Sequence, residues 1–329
     1  MSSIDIVLPV TGECRWLRPA LHSIAGQSRL PECVTIVNDD LQEPENIVDF
    51  CTSLFGASYK IIKNHGRGIS DALNTGVRES SCEWIARMDA DDISCPDRLE
   101  KQIAFLESSS DQELAGCGTQ AEFINESGKC LGYSRNPESW DEIRRNIVKK
   151  SCFVHPSLMI RRQHLLQVPY RKAFDGAEDF DLILRISETG KIINLGKVLL
   201  RYRMHYLQSS YDNRARQTAL QELAIRLHYI RCSGRVDPVD RHPEFAEQFV
   251  HWRLSRNGYA NTRIMLTMLR YLGVYLKGGD YSKVIPLLQN IRDLVKTSRI
   301  SPDVVYRVIK HAGAAFVGEV SPFDQLNIG

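Results

Sequence analysis

The sequence predicts an α/β fold: a mostly parallel sheet with its helices over residues 1–211, followed by a mainly helical region over 212–329. Three observations carry that reading. Short apolar segments alternate with segments of helical period through the first half, the pattern of strand–helix–strand units. Polar clusters recur just after those apolar segments, where open α/β sheets gather their ligand-binding loops. Beyond about Asp212 the apolar positions follow helical spacing alone.

In chain order, Ile4 to Val10 (IDIVLPV) is a near-continuous apolar run and reads as a buried strand, ending in Pro9-Val10-Thr11-Gly12. A helix is expected from about Arg15 to Gly26, with Leu17, Leu21 and Ile24 on one face. Cys33 to Val37 reads as the second strand and leads into Asn38-Asp39-Asp40. Residues 45–55 read as helix and Tyr59 to Ile62 as the third strand. The loop Gly66-Arg67-Gly68 then opens a helix from about Ile69 to Glu79. Trp84 to Met88 is the fourth strand and runs straight into Asp89-Ala90-Asp91-Asp92. All four polar clusters therefore converge on one sheet edge. A helix over Asp97 to Glu107, short strands and loops, and a strand over Asn194 to Tyr202 complete this part. Farther on, helical spacing recurs at Leu220, Leu223, Ala224 and Leu227, again from Ile264 to Leu272, and again from Ile285 to Val295.

Composition bounds the function. A chain of 329 residues accommodates one large α/β domain plus a smaller piece. With 43% hydrophobic and 25% charged residues it has the usage of a globular enzyme, not of a disordered chain. No apolar run reaches the roughly 18–20 residues of a spanning helix, and the start is polar, so a cytoplasmic protein is expected. Nine scattered cysteines without CxxC spacing read as free thiols, with neither a disulfide framework nor a zinc site. The net charge of +2 conceals a split: residues 201–329 carry 19 Lys+Arg against 11 Asp+Glu, and residues 1–200 carry 23 against 29. The basic portion suits nucleic acid, an anionic membrane surface or an anionic substrate, and the acidic portion suits a cation; uneven solvated charge is the plain alternative. Residues 261–277 join apolar side chains to Arg263, Arg270 and Lys277, which fits either an interfacial helix or one packed on its neighbours.

Two carboxylate clusters carry chemistry. Asp89, Asp91 and Asp92 repel one another at a strand end unless a cation or hydrogen-bond donors compensate. Mg²⁺ or Mn²⁺ bridging a diphosphate does so, since these ions take carboxylate and phosphate oxygens. A solvated turn, with Asp92 capping the helix that starts near Pro96, is the alternative. Glu178-Asp179 begins the second cluster, in the run AEDFDL; Asp181 and Arg185 have the spacing of an ion pair within one helix. A helix N-terminus also favours acidic residues, which is the structural reading of that run. His155, followed by Pro156, is either structural or a ligand contact. Tyr170, Arg171 and Phe174 shortly precede the second cluster.

The ordered segments IVLPV, LHSIAGQS, VTIVNDD, GRGISDALNTG, WIARMDADDISCPDRLEKQIAFL, HPSLMIRR, AEDFDLILRISETGKI and YRMHYLQSS resemble the family 2 glycosyltransferases over about residues 3–210. These are inverting enzymes with the GT-A nucleotide-diphospho-sugar transferase fold, a Rossmann-like mixed sheet, and the likeness is nearest to bacterial surface-polysaccharide members. The resemblance implies that Pro9 and Thr11 line the nucleotide pocket, although the family usually has an aromatic and an Asn where Thr11 and Gly12 stand here. Asp39 takes the place of the group that accepts a hydrogen bond from the base, typically uracil; Leu41-Gln42 replace the usual Gly-Ser after it. Arg67 and Gly68 approach the nucleotide, with the guanidinium suited to bidentate phosphate binding. Asp89 corresponds to the ribose-side or metal-side Asp, Asp91 to the direct metal ligand, and Asp92 stands behind them. Asp179 is the base that deprotonates the acceptor hydroxyl, and Glu178 orients the acceptor. His205 supplies a third metal ligand or, with Arg203, stabilises the leaving diphosphate. His155, where it is not structural, contacts the donor sugar or diphosphate, and Tyr170, Arg171 and Phe174 are candidates for acceptor contact.

The resemblance thus implies a divalent metal (Mn²⁺ or Mg²⁺), a nucleotide-diphospho-sugar donor with UDP the expected nucleotide, and a glycan or polyprenyl-diphosphate-linked acceptor. Peripheral contact with the inner face of a membrane would suit the basic C-terminal region. A nucleotide-sugar-forming nucleotidyltransferase would need a Gly-rich, cationic loop after the first strand, and PVTGECRWLR has one Gly. A non-catalytic sugar-nucleotide-binding protein is opposed by the two intact carboxylate clusters. No nucleic-acid partner is expected, since the basic region lacks an RNP-like aromatic pattern.

Overall fold

A computed structural model describes residues 2–11, 15–39, 44–205 and 214–255. Residues 261–277, the apolar positions from Ile264 to Val295, and Gly12, Asp40, Leu41 and Gln42 lie outside the described residues.

The first half follows the expected alternation: β1 (Ile4–Val10), α1 (Leu17–Ala25), β2 (Cys33–Asn38), α2 (Pro44–Phe55), β3 (Tyr59–Lys63), α3 (Ile69–Glu79) and β4 (Trp84–Arg87). A short β5 (Ile93–Ser94), α4 (Arg98–Ser108), β6 (Leu114–Ile124), β7 (Cys130–Tyr133) and α5 (Trp140–Asn146) follow. Then come β8 (Met159–Arg161), α6 (Arg162–Gln167), α7 (Glu178–Ile186) and β9 (Lys191–Arg203). The helices α8 (Arg214–Cys232), α9 (Pro238–Arg241) and α10 (Glu244–Ser255) close the described chain.

The nine strands form one sheet in the order β3-β2-β1-β4-β8-β6-β9-β5, with β7 on β6. Its first four strands are parallel. The other half is mixed: β8 runs antiparallel to both β4 and β6, whereas β6 and β9 are parallel. The parallel half rests on β1, whose side chains alternate between two cores as the period of two requires. Ile4, Ile6 and Leu8 pack with Leu17, Leu21 and Ile24 of α1 on one face. Val7 packs with Leu73 and Val77 of α3 on the other. Gly76 of α3 permits that close packing, because a Cβ there would lie 2.4 Å from Val7 Cγ1. Each buried aliphatic side chain contributes about 1.5–3 kcal/mol.

Register sets the site. Val7 pairs with Arg87 and Val10 with Asn38, so the carboxyl ends of β1, β2 and β4 lie side by side. The C-terminal helices share the apolar core of α7: Leu220, Leu223, Leu227 and Val250 belong to the cluster that holds Leu182, Ile183 and Ile186. Asp181 is the polar side of that junction. It pairs with Arg171 and, at 2.8 Å, with Arg185 as the spacing predicted, and Arg171 reaches Asp237 at 2.8 Å. All the described cysteines are free.

Candidate active site

The strand β4 delivers the first carboxylate cluster. Carboxylate oxygens of Asp89, Asp91 and Asp92 lie within 4.8 Å of one another. Asp92 is buried and accepts the Arg203 N–H at 2.8 Å; its other oxygen has no partner. Asp92 caps no helix, since its acceptor is spent on the backbone of β9. His205 brings Nε2 to 2.7 Å from Asp91 Oδ2, and its buried Nδ1 has no partner. The Trp16 ring, 4.4 Å away between centroids, packs against that imidazole. An oxygen-rich cluster with one imidazole and two unpartnered buried polar atoms fits a hard or borderline divalent cation.

Arg87, the last residue of β4, was not singled out by the sequence. It is buried and holds Asp89 through two parallel contacts of 2.5 and 2.6 Å. Its charge also favours the ionised forms of Asp92, Glu178 and Asp179, so one cation stands among both carboxylate clusters. The available signal was an Arg inside an otherwise apolar strand, two residues before an Asp and hence on the same face. Arg98 of α4 is fully buried and fixes the end of β4 by donating to the Arg87 carbonyl at 2.8 Å.

Glu178 and Asp179 form the first turn of α7. Glu178 is buried and accepts the Gly176 N–H at 2.8 Å. Burial first, and then the neighbouring Asp179 charge, pushes its carboxyl up to about 8. Burial also raises Asp179, and raises Asp89 to about 6 against the opposing pull of Arg87. Asp89 nonetheless keeps 27% of its side chain open, so a cation can reach it. These folded-state values lie above the unfolded ones. The unfolded chain therefore binds fewer protons, and stability present below about pH 4 is lost as pH rises through about 6 and then 8. We expect the melting temperature of the metal-free protein to fall between pH 6 and pH 8, and millimolar Mn²⁺ to reverse the fall. A melting temperature that rises over this range, read by differential scanning fluorimetry, would contradict the account.

The nucleotide-side residues gather at the neighbouring strand ends. Pro9 is half-buried and Thr11 exposed beyond β1. Asp39 Oδ2 accepts the Gly68 N–H at 2.7 Å, which ties the end of β2 to the loop before α3. Arg67 is exposed next to it. Gly68 has φ +87°, and a Cβ there would lie 2.4 Å from Asp175 Oδ2. Gly68→Ala should thus destabilise the fold by about 1–3 kcal/mol, the usual strain of a Gly-only backbone region. Titration calorimetry should show nucleotide diphosphate binding weakened about tenfold; binding at the wild-type level would remove Gly68 from the site.

Several expected roles are revised by the structure. Arg203 is buried, and its guanidinium donates to the carbonyls of Asp91, Asn125 and Glu126 at 2.8, 3.1 and 3.0 Å. It clasps the loop that carries Asp91. His155 is buried with Nε2 2.9 Å from Tyr170 Oη, and burial holds its imidazole well below the usual range, so it stays neutral. That matches the structural alternative, with the two rings 5.6 Å apart between centroids. Tyr170 and Phe174 are buried and Arg171 is ion-paired, which removes all three from the acceptor face. Glu188, His228 and Cys232 also lie within 4.8 Å of one another. Arg231 already engages both oxygens of that carboxylate, at 2.9 and 2.8 Å, so the group reads as an ion-pair network.

Residues 5–168 match the family model described as glycosyl transferase family 2. The chain belongs to that family. Among its relatives, the O-antigen biosynthesis glycosyltransferase WbnJ of Escherichia coli is 39% identical over 141 residues, 42% of this chain and 54% of that protein. An uncharacterized glycosyltransferase of Haemophilus influenzae is 29% identical over 206 residues, 61% of this chain and 75% of that protein. The match thus spans about half the length of the first of these relatives. Among solved structures, S. aureus TarS 1–349 in complex with UDP superposes with a TM-score of 0.55 at 15% identity, covering 96% of this chain and 91% of that one. The mannosyltransferase PcManGT of Pyrobaculum calidifontis, in complex with GDP-Man and Mn²⁺, gives 0.52 at 14% identity, with 96% and 87% covered. At such identities the likeness establishes a shared fold, the GT-A architecture of this family. Among the described residues, no helix is long and apolar enough to cross a membrane.

Proposed function

We propose that the chain is a metal-dependent, inverting glycosyltransferase that moves a sugar from a nucleotide diphosphate, with UDP the expected nucleotide, to a hydroxyl of a glycan or lipid-linked oligosaccharide in bacterial polysaccharide biosynthesis. The observation that carries the reading is the placement of two carboxylate clusters of different task around one cation, Arg87. Names of relatives and neighbours, an O-antigen glycosyltransferase and a UDP complex among them, support the substrate class.

In this reading Asp39 and the loop 66–68 hold the nucleotide, and Arg67 grips phosphate. Asp89, Asp91 and His205 would hold Mn²⁺ or Mg²⁺, which when bound offsets the charge that develops on the leaving diphosphate. Asp179 accepts the proton of the acceptor hydroxyl. The acceptor oxygen bonds to the anomeric carbon from the face opposite the diphosphate while the bond from that carbon to the phosphate oxygen breaks, its electron pair leaving with the nucleotide diphosphate. A single displacement inverts the anomeric centre. Glu178, protonated at neutral pH, donates a hydrogen bond that orients the acceptor. The basic C-terminal region would meet an anionic lipid-linked acceptor or the inner face of a membrane, with the catalytic domain, 1–211, in the cytoplasm.

A panel of UDP-, GDP- and dTDP-sugars with and without MnCl₂ tests this. We expect one nucleotide class to raise the melting temperature only with metal present, and its sugar to be released slowly to water or transferred to acceptor. No metal-dependent binding of any nucleotide sugar would overturn the reading. Pyrophosphate release from a nucleoside triphosphate and a sugar phosphate would identify a nucleotidyltransferase instead.

A further inference from the structure

The donor and acceptor sides of the site are joined by a strip of hydrogen bonds that neither motif reveals. α3 starts beyond Gly68, which has no side chain to cap it, although the first N–H groups of a helix lack partners within it. The Ser70 N–H finds its acceptor across the fold, at Asp175 Oδ1, 3.2 Å away. A Cβ on Gly68 would meet Asp175 Oδ2 at 2.4 Å, so the bare glycine makes room for this carboxylate. The same helix face is stitched to the rest of the segment. Asn74 donates to the Tyr170 carbonyl at 2.8 Å and accepts the Tyr170 N–H at 2.9 Å. Ser70 Oγ donates to the Arg171 carbonyl at 3.3 Å. Asp71, which accepts the Arg67 N–H at 3.0 Å, pairs with Lys172 at 2.7 Å. Three residues after Asp175 the chain enters α7 at Glu178, with Asp179 next.

We infer that Asp175 is a positioning residue: it caps α3 from across the fold and thereby couples the order of the nucleotide loop 66–68 to the placement of Glu178 and Asp179. The inference rests on reading that loop as the donor contact and Asp179 as the base. At one end Asp39 holds Gly68 at 2.7 Å. At the other, Asp175 is separated from α7 only by Gly176 and Ala177, whose N–H groups are held by the Glu178 carboxylate at 2.8 Å and the Phe174 carbonyl at 2.7 Å. A nucleotide that orders the loop would in this way fix the base as well, and the acceptor would be deprotonated efficiently only when donor is in place.

Hydrogen exchange with and without UDP plus Mn²⁺, and with GDP plus Mn²⁺ in a parallel arm, tests the coupling in the full chain. In the wild type, nucleotide should slow exchange both at 66–72 and at 176–182. Asp175→Ala, at saturating nucleotide, should keep the first protection and lose the second, with kcat lowered about tenfold and the donor KM changed less than threefold. Asp175→Asn retains an acceptor oxygen and should restore both readouts to within about threefold of wild type. Should the alanine variant not fold, Asp175→Glu replaces it, since the longer side chain carries the carboxylate away from Ser70 and should uncouple in the same way. Protection at 176–182 that survives in the alanine or glutamate variant with kcat unchanged overturns the inference. No protection at 66–72 in the wild type with either nucleotide overturns the donor reading itself, and the coupling with it.

Discussion

Asp179→Asn should lower transfer by about 10³-fold while leaving nucleotide and metal binding intact, within the range that a positioned general base supplies. Asparagine keeps the size of the side chain and its acceptor oxygen, which receives the Phe180 N–H at 2.7 Å in the wild type, so α7 keeps its first turn. What disappears is the basic lone pair that accepts the proton of the incoming hydroxyl. Steady-state transfer, measured beside calorimetric titration of the nucleotide, separates the two effects. A variant that retains wild-type kcat would remove Asp179 as the base. Glu178→Gln offers an internal contrast. Because burial pushes the Glu178 carboxyl up to about 8, the side chain is mostly neutral at pH 7. An amide therefore copies its charge and its ability to donate, and the loss should stay near tenfold.

The second large effect is expected at Asp91. Asp91→Asn should abolish the Mn²⁺-dependent rise in melting temperature and reduce transfer by about 10²–10³-fold, as loss of electrostatic stabilisation of a leaving group does. Asp91 is half-buried, touches His205 at 2.7 Å, and lies within 4.8 Å of two further carboxylates. Removing its charge relieves repulsion in the metal-free state, so the variant should melt at or above the wild-type temperature without metal and fail to respond to it. That inversion distinguishes a lost ligand from a damaged fold. A retained Mn²⁺ response would place the cation elsewhere. His205→Ala should weaken Mn²⁺ affinity by at least about tenfold, since losing a direct ligand costs no less than losing a partner that only orients one.

The parallel half of the sheet was legible because its signals are local. IDIVLPV, CVTIV and WIARM are strands by composition alone, and the helices between them show their apolar faces within a few turns. DADD was legible for the same reason, an acidic run at the end of an apolar one. The pair Asp181–Arg185 followed from helical spacing. The middle of the chain was harder: β6 is one continuous eleven-residue strand between β8 and β9, yet its run LAGCGTQAEFI mixes glycine with polar residues and reads as short strands and loops. Arg203 and His155 show the limit in the site itself. An Arg two residues from a His near the end of a glycosyltransferase domain suggests phosphate binding, but its guanidinium donates to the carbonyls of Asp91, Asn125 and Glu126, which come from two distant places in the sequence. His155 is likewise satisfied by Tyr170, fifteen residues away.

Residue type and spacing alone thus determined the alternating fold, the two acidic runs and the sheet edge that gathers the first of them, since each depends on side chains a few positions apart. The tertiary structure decided what neutralises those clusters and what holds them in register. Arg87 among the carboxylates, Asp175 at the start of α3, and Arg203 over the Asp91 loop each act on groups brought close by strand order. Electrostatic and hydrogen-bond energies depend on distance and burial, and neither is written into the local period of a sequence.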